Sequence, residues 1–147
     1  MSSASDLSPW RLDWDESMSV GIPDIDAQHQ HFIELVNELN KCILWRMPLP
    51  DIRAAMSAIY TDAQQHFSSE ERLFKEWQYP ETHMHAQIHA QILQVLSEIC
   101  DRFKFDDSSE YELIDAGLKI KHTLVEHMLT EDMKYRDFFY AQTNPAK

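Results

Sequence analysis

Glycine is nearly missing from this chain. There are two in 147 residues, and the six prolines gather where elements would end. An all-β chain needs turn residues at short, regular intervals, so this shortage argues for long helices over hairpins. Basic residues are scarce as well. Thirteen Lys and Arg against 25 Asp and Glu leave a net charge of −12, which repels a phosphate backbone and speaks against nucleic acid as a partner. No apolar run approaches the ~20 residues that cross a bilayer. The opening Met1 to Ser8 has neither the charged nor the apolar region of a signal peptide. Cys42 and Cys100 stand far apart with no C-x-x-C between them. They read as small buried apolar side chains in a reducing compartment, not as a disulfide or a metal site. The expectation is a cytoplasmic chain with no membrane partner, forming one domain over 1–147: an arm at 1–22, helices over 23–140 and a tail at 141–147.

What is present is a set of apolar stripes at helical spacing. Residues 1–22 hold no such period, and Trp10 and Trp14 are expected to pack this arm onto the body. Pro23-Asp24 opens the first helix, whose stripe runs Ile22, Ile25, position 29, Phe32, Val36, Leu39, Ile43. Met47-Pro48-Leu49-Pro50 ends it and Asp51 begins the second, with Ile52, Met56, Ile59, Ala63, positions 66 and 70, Leu73 and Trp77. Tyr79-Pro80 is the next break. The third helix starts near Glu81 and carries positions 85 and 89, Ile92, Leu96, Ile99 and Phe103. After a polar loop, Ser109 and Glu112 have the form of a capping box. The fourth stripe follows as Leu113, Gly117, Ile120, Leu124 and position 127, with Tyr135 and Phe139 further on. Four amphipathic helices joined by short loops predict an all-α, antiparallel up-down-up-down four-helix bundle with an extended N-terminal arm.

The unnamed positions in those stripes carry the chemistry. Apolar slots are occupied by His29, His66, Glu70, His85, His89 and His127. A carboxylate in a core is costly unless it is paired or bound to a cation. Local pattern and global packing therefore conflict here, as they do at functional sites. A further carboxylate follows His127, and two residues compete for the role. Glu131 is the next residue on a regular helix, while Asp132 lies about 140° round from His127 yet shares a stripe with Tyr135 and Phe139. A one-residue drift or a π-bulge would bring Asp132 inward. His31, His83 and His122 fall off the stripes and are expected to be exposed. Because helix directions alternate, all the inward slots lie at one height. Seven donors exceed what one ion takes. Two octahedral ions offer twelve positions: five imidazoles, two bridging carboxylates and one oxo or hydroxo bridge leave a single position open.

These residues resemble the hemerythrins, specifically the single-domain bacterial ones. The likeness rests on His29 in Ile-Asp-Ala-Gln-His-Gln, His66 and Glu70 in His-Phe-Ser-Ser-Glu-Glu, His85 and His89 in His-Ala-Gln-Ile-His, and His127 and Asp132 in His-Met-Leu-Thr-Glu-Asp. Trp14 and Val20-Gly21-Ile22 are similar to the family's arm. The resemblance implies a non-haem di-iron centre, oxo- or hydroxo-bridged, that binds O2 reversibly in a carrier, store or delivery protein. It selects Asp132 over Glu131 and makes Glu70 and Asp132 the bridges. His85, His89 and His127 would complete one iron, and His29 and His66 the other, which keeps the open position. Phe32, Phe67, Leu124 and Met128 would line the O2 pocket. One departure is Thr123, which stands where the family often has tryptophan. The implied protein is a binding protein rather than an enzyme, a monomer serving an O2-consuming partner. The alternative reading is an O2 or redox sensor, or a di-iron enzyme acting on peroxide or nitric oxide. The chain has no Glu-x-x-His, the motif of carboxylate-rich di-iron enzymes. A histidine-rich donor set favours reversible binding over oxidative turnover.

Overall fold

A computed structural model describes residues 11–103 and 109–143. Among the described residues a 3-10 turn at Glu16–Met18 precedes five α-helices: α1 (Pro23–Leu44), α2 (Leu49–Trp77), α3 (Thr82–Arg102), α4 (Glu110–Leu129) and α5 (Glu131–Thr143). The four long helices pack α1 on α2, α2 on α3, α3 on α4 and α4 back on α1. Cross-helix pairs show the alternation of direction. Gln28 and His31 of α1 meet His66 and Asp62 of α2. Phe74 and Glu71 of α2 meet His85 and His89 of α3. Arg102 of α3 meets Glu112 of α4. This is the expected all-α antiparallel four-helix bundle.

The helix starts follow local chemistry. Pro23 sits at the first turn of α1, where its missing N–H breaks no bond. The α2 helix begins at Leu49, two residues before the expected Asp51, because Pro50 is tolerated in that same first turn. It ends at Gln78 in the left-handed region (φ 55°). Ser109 caps α4 by accepting from the Glu112 N–H at 3.1 Å. The stripes bury as their spacing requires: Phe32, Val36, Leu39, Ile52, Met56, Ile59, Leu96, Ile99, Ile120 and Leu124 form one continuous core. Burial of each such side chain contributes roughly 1.5–3 kcal/mol.

Three expectations need correction. The fourth helix is not continuous: it breaks at Thr130 (φ −118°, ψ −72°), whose N–H and hydroxyl both bond to the Glu126 carbonyl. Near the end of α2 it is Phe74 that is wholly buried, while Leu73 and Trp77 are only partly so. The reason is that this end of α2 faces the arm and α5, not the bundle axis. Its partners are Val20, Ile25, Tyr79 and Tyr135. Cys42 is buried but Cys100 only partly so, and both are free thiols.

The arm is tied down by polar bonds. Asn37 exchanges two hydrogen bonds with the Leu12 backbone, at 2.8 and 2.7 Å. Asp26 accepts from the Val20 N–H and from the Ser19 hydroxyl. Leu12 and Trp14 then pack over Met18, Ile33 and Met128. Trp10, the other expected anchor, lies outside the described residues.

Candidate metal centre

All seven of the candidate donors meet inside the bundle, each at most 5% exposed. They form two overlapping groups. One contains Glu70, His85, His89, His127 and Asp132; the other contains His29, His66, Glu70 and Asp132. Within each group one donor atom per residue lies within 4.8 Å of all the others. The two carboxylates belong to both groups and turn one oxygen toward each. Glu70 Oε1 is 3.1 Å from His89 Nε2, while its Oε2 is 3.3 Å from His66 Nε2 and 3.5 Å from His29 Nε2. Asp132 Oδ1 is 3.1 Å from both His85 Nε2 and His127 Nε2, and its Oδ2 is 3.2 Å from His29 Nε2.

The break at Thr130 decides which carboxylate enters. A regular helix through this region would carry Glu131 inward. Starting a new axis at residue 131 turns Asp132 into the interior, where it is 0% exposed, and leaves Glu131 partly exposed and paired with Lys134. The expected histidines outside the site are indeed peripheral. His31 pairs with Asp62, His122 with Glu126, and His83 contacts Gln87.

Burial opposes charge on His29, His127, Glu70 and Asp132, but the neighbours outweigh it. Burial would lower the His29 imidazole, yet Asp132 and Glu70 raise its pKa from 6.5 to about 9. His127 is likewise raised, with Asp132 as the chief opposing influence. Burial would raise both carboxylates, yet the imidazoles, His66 foremost at Glu70 and His127 at Asp132, hold them well below their ordinary values.

The donor set fits a cation. Glu70 Oε1, His89 Nε2, His127 Nε2 and Asp132 Oδ2 are buried, face the cluster and have no hydrogen-bond partner among the described residues. Each unsatisfied buried group costs about 1–3 kcal/mol, so leaving four of them aimed at one another makes no sense for a packing cluster. Histidine nitrogens and carboxylate oxygens are the ligands of Zn, Fe, Cu and Ni. A cation between them would satisfy all four at once.

Several supporting side chains were not singled out from the sequence. Gln28 Oε1 lies 2.6 Å from His66 Nδ1, and Glu71 Oε2 lies 2.8 Å from His89 Nδ1. Such outer partners fix which ring nitrogen faces inward. Tyr135 donates its hydroxyl to Glu70 Oε2 at 2.5 Å. Gln28 and Glu71 are sequence neighbours of His29 and Glu70, which was the available signal. In the His29/His66 half the Phe32 ring meets His66 edge-on at 5.0 Å; Phe67 stacks on His89 of the other half at 3.9 Å and lies 5.8 Å from His66. Leu124 is buried in the same apolar core. Met128 is buried too, but in the small cluster beneath the arm with Met18 and Ile33.

A helical bundle whose inward slots hold five histidines and two shared carboxylates has the architecture of a cation-binding domain. The model of the hemerythrin HHE cation binding domain matches residues 20–138. The chain belongs to the hemerythrin family. It is 26% identical over 133 residues to a bacteriohemerythrin of Stenotrophomonas maltophilia, covering 90% of this chain and 84% of that one. A bacteriohemerythrin of Pseudomonas aeruginosa is 27% identical over 126 residues, 86% of this chain and 80% of the relative. A hemerythrin-like protein of Naegleria gruberi is 26% identical over 129 residues, 87% and 93% of the two chains. No helix among the described residues is long and apolar enough to cross a membrane.

Proposed function

We propose that this chain is a single-domain O2-binding protein that holds two iron ions and binds O2 reversibly between them and an apolar wall. The observation that carries the reading is the unequal sharing of donors. Both groups contain Glu70 and Asp132, but one adds three histidines and the other only two. The group with two histidines is therefore one ligand short, which leaves room for a small molecule. A reduced iron pair supplies the two electrons that reversible O2 binding requires.

The protein side chains do the rest. His85, His89 and His127 would hold one iron and His29 and His66 the other, with Glu70 and Asp132 available to both. Glu71 and Gln28 orient two of the imidazoles. Phe32, Phe67 and Leu124 form the apolar wall and keep water from the site, which slows loss of the bound oxygen in a reduced form. The test is iron analysis with visible spectra on reduced anaerobic protein, then with O2, then after O2 removal. About two irons per chain and a colour that appears and leaves with O2 are expected. Colour that never reverses would overturn the carrier reading, and absence of bound iron would overturn the assignment of the site.

A further inference from the structure

Tyr135 belongs to neither donor group, yet it is 0% exposed and its hydroxyl donates to Glu70 Oε2. It lies three residues after Asp132 on α5, so one short helix brings both a donor and a bond to the opposite carboxylate. Its ring is clamped. The Phe74 ring is 4.8 Å away, His85 5.7 Å and Trp77 6.1 Å. Such packing leaves the hydroxyl little freedom of direction.

The oxygen it selects is the informative part. Glu70 Oε2 is the oxygen turned toward His66 and His29, while Oε1 is turned toward His89. The hydroxyl therefore addresses only the half of the site that is one ligand short. We propose that Tyr135 is a positioning residue: by donating to Glu70 Oε2 it fixes how the carboxylate spans the two halves, weakens that oxygen as a ligand, and so biases the His29/His66 half toward the lower oxidation state. This rests on the iron-binding reading above and deepens it.

The reasoning is electrostatic. A carboxylate oxygen that accepts a hydrogen bond has less electron density to give a cation. The more highly charged cation gains most from strong donors, so a weakened donor favours the reduced ion. The outer partners of the histidines run the same way. His89 is backed by the Glu71 carboxylate, which makes its imidazole a stronger donor, whereas His66 is backed by the neutral amide of Gln28. The half with three histidines thus has the stronger ligands, and the half with two has the weaker ones. An O2 site that must be in the reduced state before O2 arrives gains from that ordering.

The experiment compares iron-loaded wild type with Tyr135→Phe and with 3,5-difluorotyrosine placed at position 135. Iron content and midpoint potential are measured by anaerobic redox titration. The phenylalanine variant keeps the ring and loses the bond. Equal iron content is expected, with the reduced-to-oxidised equilibrium shifted about tenfold toward the oxidised state, which is about 59 mV for one electron. Its oxygen-dependent colour should also be lost faster. The fluorinated phenol is a stronger donor and should move the potential in the opposite direction. Equal potentials at equal iron content would overturn the role of Tyr135 while leaving the iron reading intact. Wild type that takes up no iron would overturn both. If the phenylalanine variant fails to fold, the fluorinated protein decides alone: a potential at or below wild type refutes the proposal.

Discussion

Glu70→Gln tests the site most directly. The substitution keeps the volume of the side chain and an oxygen for the Tyr135 hydroxyl, and it removes the negative charge. Glu70 is fully buried, and its two oxygens lie 3.1 to 3.5 Å from three imidazole nitrogens. It is one of only two residues common to both donor groups, so both cation positions lose an anionic ligand together. Replacing a mere outer partner of a metal ligand costs about 10–100-fold in affinity. A shared ligand should cost at least about 100-fold at each position, or about 2.7 kcal/mol. For a protein stabilised by ligand at about 1,000 times its Kd, that change reduces the stabilisation from about 4.1 to about 1.4 kcal/mol. At about 2–4 °C per kcal/mol for a chain near this size, the Tm gained on anaerobic iron loading should shrink by roughly 5–11 °C for each position affected. Calorimetry with ferrous iron and with chelator, alongside iron analysis, reads this out. A Glu70→Gln protein that keeps about two irons and the full chelator-sensitive Tm shift would refute the reasoning.

Two further outcomes follow from the geometry. In metal-free protein His29 is raised from 6.5 to about 9, so its contribution to stability is complete below pH 6.5 and is lost as pH climbs through about 9. That amounts to about 3 kcal/mol at most. Glu70 and Asp132 are lowered, so their contributions are present above the ordinary carboxylate range and fall away in acid. Urea melts of metal-free protein should therefore show greatest stability near pH 5–6.5, and a flat profile from pH 6.5 to 9 would contradict the charge arrangement. Away from the site, Gly117→Ala would place a Cβ 2.4 Å from Asn40 Oδ1 and 3.0 Å from Ile43 Cδ1. Asn40 is buried and its amide donates to the Val36 carbonyl, so it cannot yield freely. Displacing it should outweigh the ~1 kcal/mol gain in helix propensity and leave a net loss of roughly 1–3 kcal/mol. Denaturant melts should show the loss with iron content unchanged. Adding Asn40→Ala should reverse much of it, and a Gly117→Ala protein as stable as wild type would show the contact to be soft.

The positions of the inward slots were legible because two strong physical signals coincide in the sequence. A period near 3.6 marks the buried face of each helix, and a histidine or glutamate on that face is too costly to be there without a partner. The stripes through 29, 66, 70, 85, 89 and 127 needed only those two facts, and antiparallel packing of four helices brings their middles to one height. The near-absence of glycine made the all-α class just as plain. Tertiary structure alone decided the rest. Periodicity assumes one straight axis, so it could not show that α4 ends at Thr130, nor that the new axis turns Asp132 inward and Glu131 outward. It could not foresee that Phe74 would bury where α2 leaves the bundle axis for the arm and α5. Nor could it pair Gln28 with His66, Glu71 with His89 or Tyr135 with Glu70. Those bonds join residues on different elements or distant in the chain, and their lengths depend on how the helices rotate about their own axes, which no single helix's sequence records.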